Sequence, residues 1–388
     1  MNSRINQLKD SALFYMSLGS MELFHSNFWY WLLQTNIKFV RVFFNKNEIS
    51  DDILYTIKKS KIRREYKHTD ISIECNTGMF IIENKIKTLP NKNQLLEYET
   101  SSNINFKKGK FLVIGDCAKP DFVLENWEPL FYNDILDKIK KILNNIKKDI
   151  SENNVTIINE YISMTKNIIE VINLAVDNLK LKNTLLITKI EKSKNQLMDK
   201  LSELKLDDII RKINGSILFE NLKRELKNDY PDDEYYYQYG YNHKSITISI
   251  RKKIYFDKEK YILLGPQVEA NTFRRMIHIT NKSFNIDKNK GLEKIYDILK
   301  DSYFKDPKFK YPNSKNEGKK KYNQYKGIYG DTKEGFDKVE YIALYRYFKI
   351  DELIENDEVY FNEIIKIFKN ELKYIKKFDV PNLSCEEK

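Results

Sequence analysis

Alternating apolar and polar positions between residues 69 and 98 predict two strands followed by a helix. In the first strand, Ile71 and Ile73 alternate with polar residues, which is typical of a strand with one apolar face. Residues 76–78, Asn-Thr-Gly, form a turn signal, and the second strand runs from Met79 to Lys87. The segment therefore predicts a β-hairpin that leads into a helix.

The predicted hairpin brings charged residues of its two strands together. Asp70 lies on the first strand, and Glu83 and Lys85 share one face of the second. Two carboxylates and an ammonium group are costly to bury unpaired. A divalent metal such as Mg²⁺ removes that cost, because it prefers oxygen ligands. The alternative is a surface hairpin whose acidic and basic groups pair with each other and stay solvated.

Helical spacing and apolar runs predict the elements on either side of the hairpin. We expect one helix over residues 4–18 and a second from Met21 past Leu33. The apolar spacing of the second helix predicts a buried face made of Phe24, Phe28, Trp31 and Leu32. After the hairpin, residues 110–115 predict a buried strand and residues 127–133 an edge strand.

The second half of the chain changes character twice. Between Leu130 and Asn214 there is neither Gly nor Pro, and apolar residues recur at helical spacing. Residues 245–251 then alternate strictly, which predicts a small antiparallel sheet with one solvated face. We therefore expect three segments, namely a first domain over residues 1–178, a helical connector over 179–228 and an α+β domain over 229–388 that serves nucleic-acid binding or targeting.

The amino-acid composition indicates which kind of binding partner and which cellular compartment to expect. The 388 residues carry a formal net charge of +11, which favours a polyanionic partner such as nucleic acid. Only three cysteines occur, without metal-ligand spacing, so a reducing cytoplasm is expected rather than a disulfide framework. No run of apolar residues reaches the ~20 that a membrane-spanning helix needs.

A basic loop is predicted over residues 305–326. Its lysines Lys319, Lys320 and Lys321 stand beside the tyrosines Tyr322 and Tyr325. Lysines that neutralise phosphates and tyrosines that stack on bases are typical of a nucleic-acid-binding loop. The alternative is a solvated run of charge without a partner.

One set of residues resembles a known family. Asp70, the triplet Glu83-Asn84-Lys85, and Gln94 four residues before Tyr98 resemble the PD-(D/E)XK nuclease superfamily. The Gln-x-x-x-Tyr spacing is similar to that of its exonuclease-like and defence-associated branches. Thr69 stands where the family name has proline.

The phrase ELFHSNFWYWLL, at residues 22–33, resembles the opening of one subfamily. In that subfamily a helical glutamate before the sheet assists the metal, which makes Glu22 a candidate additional ligand. The alternative is an acidic residue placed in the first turn because the helix dipole favours it.

The resemblance implies a fold, an activity and a set of roles. The fold would be α/β, a restriction-endonuclease-like mixed sheet flanked by helices, followed by a helical array and a smaller antiparallel β-containing domain. The activity would be hydrolysis of phosphodiester bonds, with DNA favoured over RNA and internal cleavage over end cleavage, in defence against foreign DNA. The protein could also act as a homodimer or together with a partner protein of a defence system. The competing hypothesis is a catalytically inert nuclease fold that binds nucleic acid or a partner.

The resemblance also implies roles for individual residues. The ligands of a Mg²⁺ or Mn²⁺ ion would be Asp70, Glu83, the carbonyl of Asn84, and Glu22. The catalytic residues would be Asp70, Glu83, Lys85 and Gln94, and Tyr98 would contact a phosphate.

Overall fold

The computed structural model describes residues 1–86, 88–101, 104–115, 122–181, 184–185, 196–242, 245–255, 261–269, 272–280, 323–329, 339–349 and 359–376. The chain forms two compact units. The N-terminal unit contains Met1–Asn178 and Glu191–Ile213, and the C-terminal unit contains Leu179–Ile190 and Asn214–Lys388. The segment predicted as a separate connector, 179–228, is thus divided between the two units.

The N-terminal unit is built from helices around one sheet. Its helices are α1 (Asn2–Lys9), α2 (Ala12–Ser17), α3 (Met21–Thr35), α4 (Asp51–Thr56), α5 (Lys92–Thr100), α6 (Tyr132–Ile146), α7 (Glu152–Leu181) and α8 (Gln196–Glu203), and helix α9 (Asp207–Leu226) begins in this unit. Short 3₁₀ turns cover Ile37–Val42, Lys59–Lys61 and Lys147–Asp149.

Five strands form the sheet of this unit in the order β1-β2-β3-β4-β5. The strands are β1 (Ile62–Tyr66), β2 (Thr69–Cys75), β3 (Gly78–Lys85), β4 (Phe106–Val113) and β5 (Trp127–Phe131). The first three strands pair antiparallel, whereas β3, β4 and β5 are parallel. The sheet is therefore mixed, and helices flank it. The predicted restriction-endonuclease-like class is confirmed.

The close fit between β4 and β5 depends on a glycine. A Cβ atom added at Gly109 would lie 2.3 Å from the ring of Trp127. The indole occupies the space that a side chain would need, and Trp127 is buried. Glycine at this position therefore lets the two strands approach each other.

Two predictions for the N-terminal helices are wrong. The helix predicted over residues 4–18 is two helices, because the side chain of Ser11 caps a new helix by accepting the Phe14 N–H at 3.3 Å. In α3 the buried face includes His25 and Trp29, whereas Trp31 is only partly buried. Because neighbours cover α3 on most sides, its apolar stripe did not identify the buried face.

The C-terminal unit contains a six-stranded antiparallel sheet. Its order is β11-β12-β10-β9-β8-β7, from strands β7 (Tyr235–Asn242), β8 (Ser245–Tyr255), β9 (Tyr261–Glu269), β10 (Thr272–Thr280), β11 (Asn323–Tyr329) and β12 (Val339–Lys349). The last helix, α10, is Phe361–Lys376, and the short strands β6 (Thr184–Leu185) and β13 (Val359–Tyr360) pair with each other. An apolar core joins residues of α9 and α10 to one face of the larger sheet.

The opposite face of this sheet is not solvated as predicted. Ser249 and Arg251 of β8 are completely buried, and Gln267 of β9 and His278 of β10 are nearly so. Arg251 donates to Gln238 and contacts the His278 ring. The prediction was wrong because alternation shows which residues share a face but not whether that face is covered.

The predicted basic loop falls mostly outside the described residues. Lys319, Lys320, Lys321 and Tyr322 are not among them. Tyr325 lies within β11, where it pairs with Ala343, so the end of the predicted loop is a strand. Among the helices of the described residues, none is both long and apolar enough to cross a membrane.

Candidate active site

The hairpin of β2 and β3 places two carboxylates beside each other. Ile71 pairs with Ile82, so Asp70 and Glu83 follow at the next position of the antiparallel register. The Asn84 N–H donates to Oδ2 of Asp70 at 2.6 Å, and the Asp70 N–H points to Oε2 of Glu83 at 3.4 Å. Each carboxylate is therefore held by a backbone amide of the neighbouring strand.

Lysine and glutamine side chains complete this cluster. The Lys85 ammonium donates to Oε1 of Glu83 at 2.9 Å and to Oε1 of Gln94 at 2.8 Å. Gln94, on α5, donates through Nε2 to the same Glu83 oxygen at 3.0 Å. Because the amide of Gln94 bridges both partners, it fixes the position of Lys85 relative to Glu83.

Tyr98 lies one helical turn beyond Gln94. Its hydroxyl accepts a hydrogen bond from Gln94 Nε2 at 2.9 Å and donates to the His68 carbonyl at 2.8 Å. The tyrosine is buried, and that burial raises the pKa of its hydroxyl. In this arrangement Tyr98 connects α5 to the start of β2, instead of pointing its hydroxyl into solvent.

Burial disfavours the ionised form of the Asp70 carboxyl. Desolvation raises the pKa of Asp70 to about 7, and repulsion from Glu83 adds to the shift. The Asn84 N–H and the Lys85 ammonium oppose it without cancelling it. Near neutral pH the site therefore holds a carboxyl that is only partly ionised, and perturbed carboxyls of this kind are typical of functional sites.

Glu22 faces the same region from the first turn of α3. Its Oε1 accepts the Thr88 hydroxyl at 2.7 Å, and its charge contributes to raising the pKa of Asp70. Its backbone carbonyl accepts Asn84 Nδ2 at 3.0 Å, so α3 and β3 are joined at this point. Glu22 thus lies at the edge of the cluster with its carboxylate held by a threonine.

A buried polar network behind Asn84 was not predicted from the sequence. The Tyr132 hydroxyl donates to Oδ1 of Asn84 at 2.5 Å, and the Trp29 indole donates to that hydroxyl at 3.4 Å. The Ser26 hydroxyl lies 3.4 Å from Nδ2 of Asn84. One signal could have indicated it, namely that Asn84 shares its strand face with Ile82 and Ile86, so a buried face would also bury its amide.

His25 and Tyr161 continue this network. The Tyr161 hydroxyl lies 2.5 Å from Nδ1 of His25. Complete burial lowers the pKa of His25 to about 3, so the imidazole is neutral at physiological pH. Its contacts are with aromatic rings and not with the carboxylates of the site. His25 is therefore a packing and orienting residue of α3.

The donor set suits a hard divalent cation. Asp70 and Glu83 are cross-strand partners in the hairpin, and burial together with repulsion from Glu83 raises the pKa of Asp70, so the site disfavours two ionised carboxylates. Mg²⁺ and Mn²⁺ prefer oxygen ligands of this kind and keep several water ligands. Across the described residues, however, no group of three or more His, Cys, Asp or Glu side chains is arranged to hold an ion. Two carboxylates, with main-chain oxygen, would hold it.

Comparison with known proteins points to the same segment. A family model described as the PD-(D/E)XK nuclease superfamily matches residues 12–163. That span includes the whole five-stranded sheet and the cluster of Asp70, Glu83, Lys85 and Gln94. No curated protein and no solved structure matches the chain.

Proposed function

Since a model of the PD-(D/E)XK nuclease superfamily matches residues 12–163 of this chain, we propose that the protein is a metal-dependent nuclease whose active site is the cluster around Asp70, Glu83 and Lys85. The observation that supports this most strongly is the contact set of Lys85. Its ammonium touches Glu83 and Gln94, and its charge also acts on the largely buried carboxyl of Asp70. A solvated surface hairpin would not bury these charges.

Asp70 and Glu83 would hold the ion, with the main-chain carbonyl of Asn84 as a further ligand. A divalent ion bound there supplies Lewis acidity and positive charge for hydrolysis of a phosphate ester. Asp70 would be held in its ionised form by a cation bound there, because the positive charge would offset the repulsion from Glu83 that raises the pKa of this carboxyl. Glu22 is the candidate for a further carboxylate contact from α3.

Lys85 and Gln94 act on the reacting groups in this proposal. The Lys85 ammonium offsets negative charge that develops on the phosphate oxygens, and it orients the attacking water. Gln94 holds the ammonium in place through its Oε1 and keeps Glu83 oriented through its Nε2. Tyr98 is placed as a positioning residue, because its hydroxyl is already engaged by Gln94 and His68.

Several finer features belong to the same proposal. We take Mg²⁺ as the ion, Mn²⁺ as its substitute, and DNA cleaved internally as the substrate. The net charge of +11 supports a polyanionic substrate. Defence against foreign DNA and a cytoplasmic location are the setting that the resemblance and the cysteine usage suggest, and Lys319–Lys321 with Tyr322 and Tyr325 remain proposed DNA contacts.

Incubation of the purified protein with linear DNA, circular DNA and RNA, each with Mg²⁺ or with EDTA, tests the proposal. We expect circular DNA to be cut with Mg²⁺ and to stay intact with EDTA. Glu83→Gln and Lys85→Ala should abolish cleavage. Glu74→Gln is the matched control, because Glu74 lies on β2 but pairs with Lys61 and Arg63.

Two outcomes would contradict the proposal in different ways. Binding of nucleic acid without cleavage under all metal conditions would favour the competing hypothesis of an inert nuclease fold. Cleavage that survives in both site variants would show that the activity comes from elsewhere in the chain or from a contaminant.

A further inference from the structure

The turn between β1 and β2 has an unusual backbone. Tyr66 pairs with Thr69, so the loop between the strands consists of Lys67 and His68 alone. Both residues have positive φ, 52° and 67°. A two-residue hairpin loop with positive φ at both positions is a type I′ turn, for which Asn-Gly is the favoured pair. Lysine and histidine adopt this conformation only at a cost in free energy.

The unusual backbone extends to the residue opposite Asp70. Glu65 also has positive φ, 51°, and the ladder pairs Arg64 with Ile71 and Tyr66 with Thr69 but skips the position between them. In the described residues four non-glycine residues have positive φ, and three of them lie here. Strained backbone that persists beside a reactive site is typical of a segment that serves the site.

Hydrogen bonds fasten this turn to the candidate active site. The Tyr98 hydroxyl donates to the His68 carbonyl, and Gln94 Nε2 donates both to that hydroxyl and to Glu83. His68 is also only two residues before Asp70. The turn is therefore held in a fixed position relative to both carboxylates, which is what a substrate-positioning element requires.

The same segment is strongly basic. Residues 58–68, KKSKIRREYKH, contain six Lys or Arg residues and one acidic residue. The side chains of Lys67 and His68 are exposed at the turn. Two cations lie near the Tyr66 ring, with the Arg63 guanidinium 4.3 Å and the Lys67 ammonium 5.2 Å from its centroid. Basic groups with an interleaved aromatic ring are typical of surfaces that bind a nucleic-acid backbone.

We propose that the Lys67–His68 turn is a phosphate-binding element that holds the nucleic-acid strand beside the cleaved bond. Lys67 contacts a phosphate neighbouring the one that is hydrolysed, and His68 lines the same path. The inference rests on the proposed nuclease function. It explains why the turn carries a lysine and a histidine where Asn-Gly would fold at lower cost: the side chains are needed for binding.

The double variant Lys67→Asn with His68→Gly tests this directly, because it installs the favoured turn pair while removing the basic side chains. We expect the midpoint of thermal unfolding to rise by about 2–4 °C as the strain is relieved. Binding to duplex DNA should weaken, and the slope of log affinity against log salt should become shallower by about 1, at roughly 0.9 for each phosphate that is no longer neutralised. Binding is measured by salt titration in the Glu83→Gln background.

Two further variants make the test specific. Lys67→Gln keeps His68 and should reduce the slope by the same amount, so the inference stays testable if the double variant folds poorly. Lys140→Gln, which removes one exposed charge from α6, is the matched control and should leave the slope unchanged. A more stable double variant with unchanged binding would overturn the inference, and so would an unchanged slope for Lys67→Gln. If the unmodified protein neither binds nor cleaves nucleic acid, it is the proposed function that fails.

Discussion

Replacing Asp70 by asparagine should stabilise the metal-free protein at neutral and alkaline pH. Burial and the neighbouring Glu83 raise the pKa of Asp70 from 3.8 to about 7, so its ionised form is disfavoured in the folded state. Asp70→Asn removes the charge while keeping an oxygen that can accept the Asn84 N–H, which donates to Oδ2 of Asp70 at 2.6 Å. The variant should therefore gain stability and lose metal binding.

The magnitude follows from linkage. In the folded state Asp70 keeps its proton up to about pH 7, whereas in the unfolded chain it loses it near 3.8. Between pH 3.8 and 7 the folded state therefore binds more protons than the unfolded state. The contribution of the protonated Asp70 to stability is complete below pH 3.8 and is lost as the pH rises through 7. At 1.36 kcal/mol for each tenfold change in proton affinity, the loss is at most about 4 kcal/mol, and about 2–4 kcal/mol once solvent screening of this partly exposed carboxyl is included.

The stability of the unmodified protein alone would not reveal this effect. His25 titrates in the opposite direction, because its burial lowers its pKa from 6.5 to about 3. Its contribution is present above pH 6.5 and is lost as the pH falls. Both proteins contain His25, so its contribution cancels when the free energy of unfolding of the unmodified protein is subtracted from that of Asp70→Asn.

Urea titrations in EDTA between pH 4 and 8.5 provide this difference. We expect the variant to match the unmodified protein near pH 4 and to exceed it by about 2–4 kcal/mol above pH 7.5. Asp51→Asn is the control, because Lys46 and Arg41 lower the pKa of the Asp51 carboxyl. The free energy of unfolding of this variant minus that of the unmodified protein should have the opposite sign. A flat difference curve for Asp70→Asn would refute the electrostatic description of the site.

Three further predictions concern other contacts. Tyr132→Phe leaves the buried Oδ1 of Asn84 without its donor, so the free energy of unfolding should fall by about 1–3 kcal/mol in urea titrations. Glu371→Gln breaks a buried bidentate pair with Arg275, whose nitrogens lie 2.6 and 2.7 Å from its oxygens, and should lower the midpoint of thermal unfolding by an amount equivalent to about 3 kcal/mol. Mg²⁺ at 100 times its dissociation constant should stabilise the unmodified protein by about 2.7 kcal/mol and Asp70→Asn much less, which calorimetry can measure.

Local patterns predicted the part of the site that is formed by neighbouring segments. Alternation around Ile71 and Ile73 predicted the hairpin, and the spacing of Gln94 and Tyr98 put both on one face of α5, where the structure has them. These residues lie within 30 positions of one another. Their arrangement depends on strand register and on one helical turn, and both can be read from a single sequence.

Long-range packing could not be predicted in the same way. Tyr132 meets Asn84 across 48 positions, and Asn84 meets α3 at Glu22 across 62. Nothing in the spacing of either residue specifies the other. The buried polar face of the C-terminal sheet, around Arg251, was not predicted either, because the periodicity of a strand does not show whether other residues cover its polar face.

The five-stranded sheet has a kinetic consequence, since its strands lie side by side in the order in which they occur in the chain. Each strand can dock on the one made just before it, so we expect the sheet to grow from β1 to β5 as the polypeptide leaves the ribosome. The carboxylates, Lys85 and Gln94 come together early, over short loops that close at little entropic cost. Asn84 gains the Tyr132 hydroxyl only after β5 is complete. We therefore expect the reactive groups to come together during synthesis before the contact of Asn84 with Tyr132 fixes their positions.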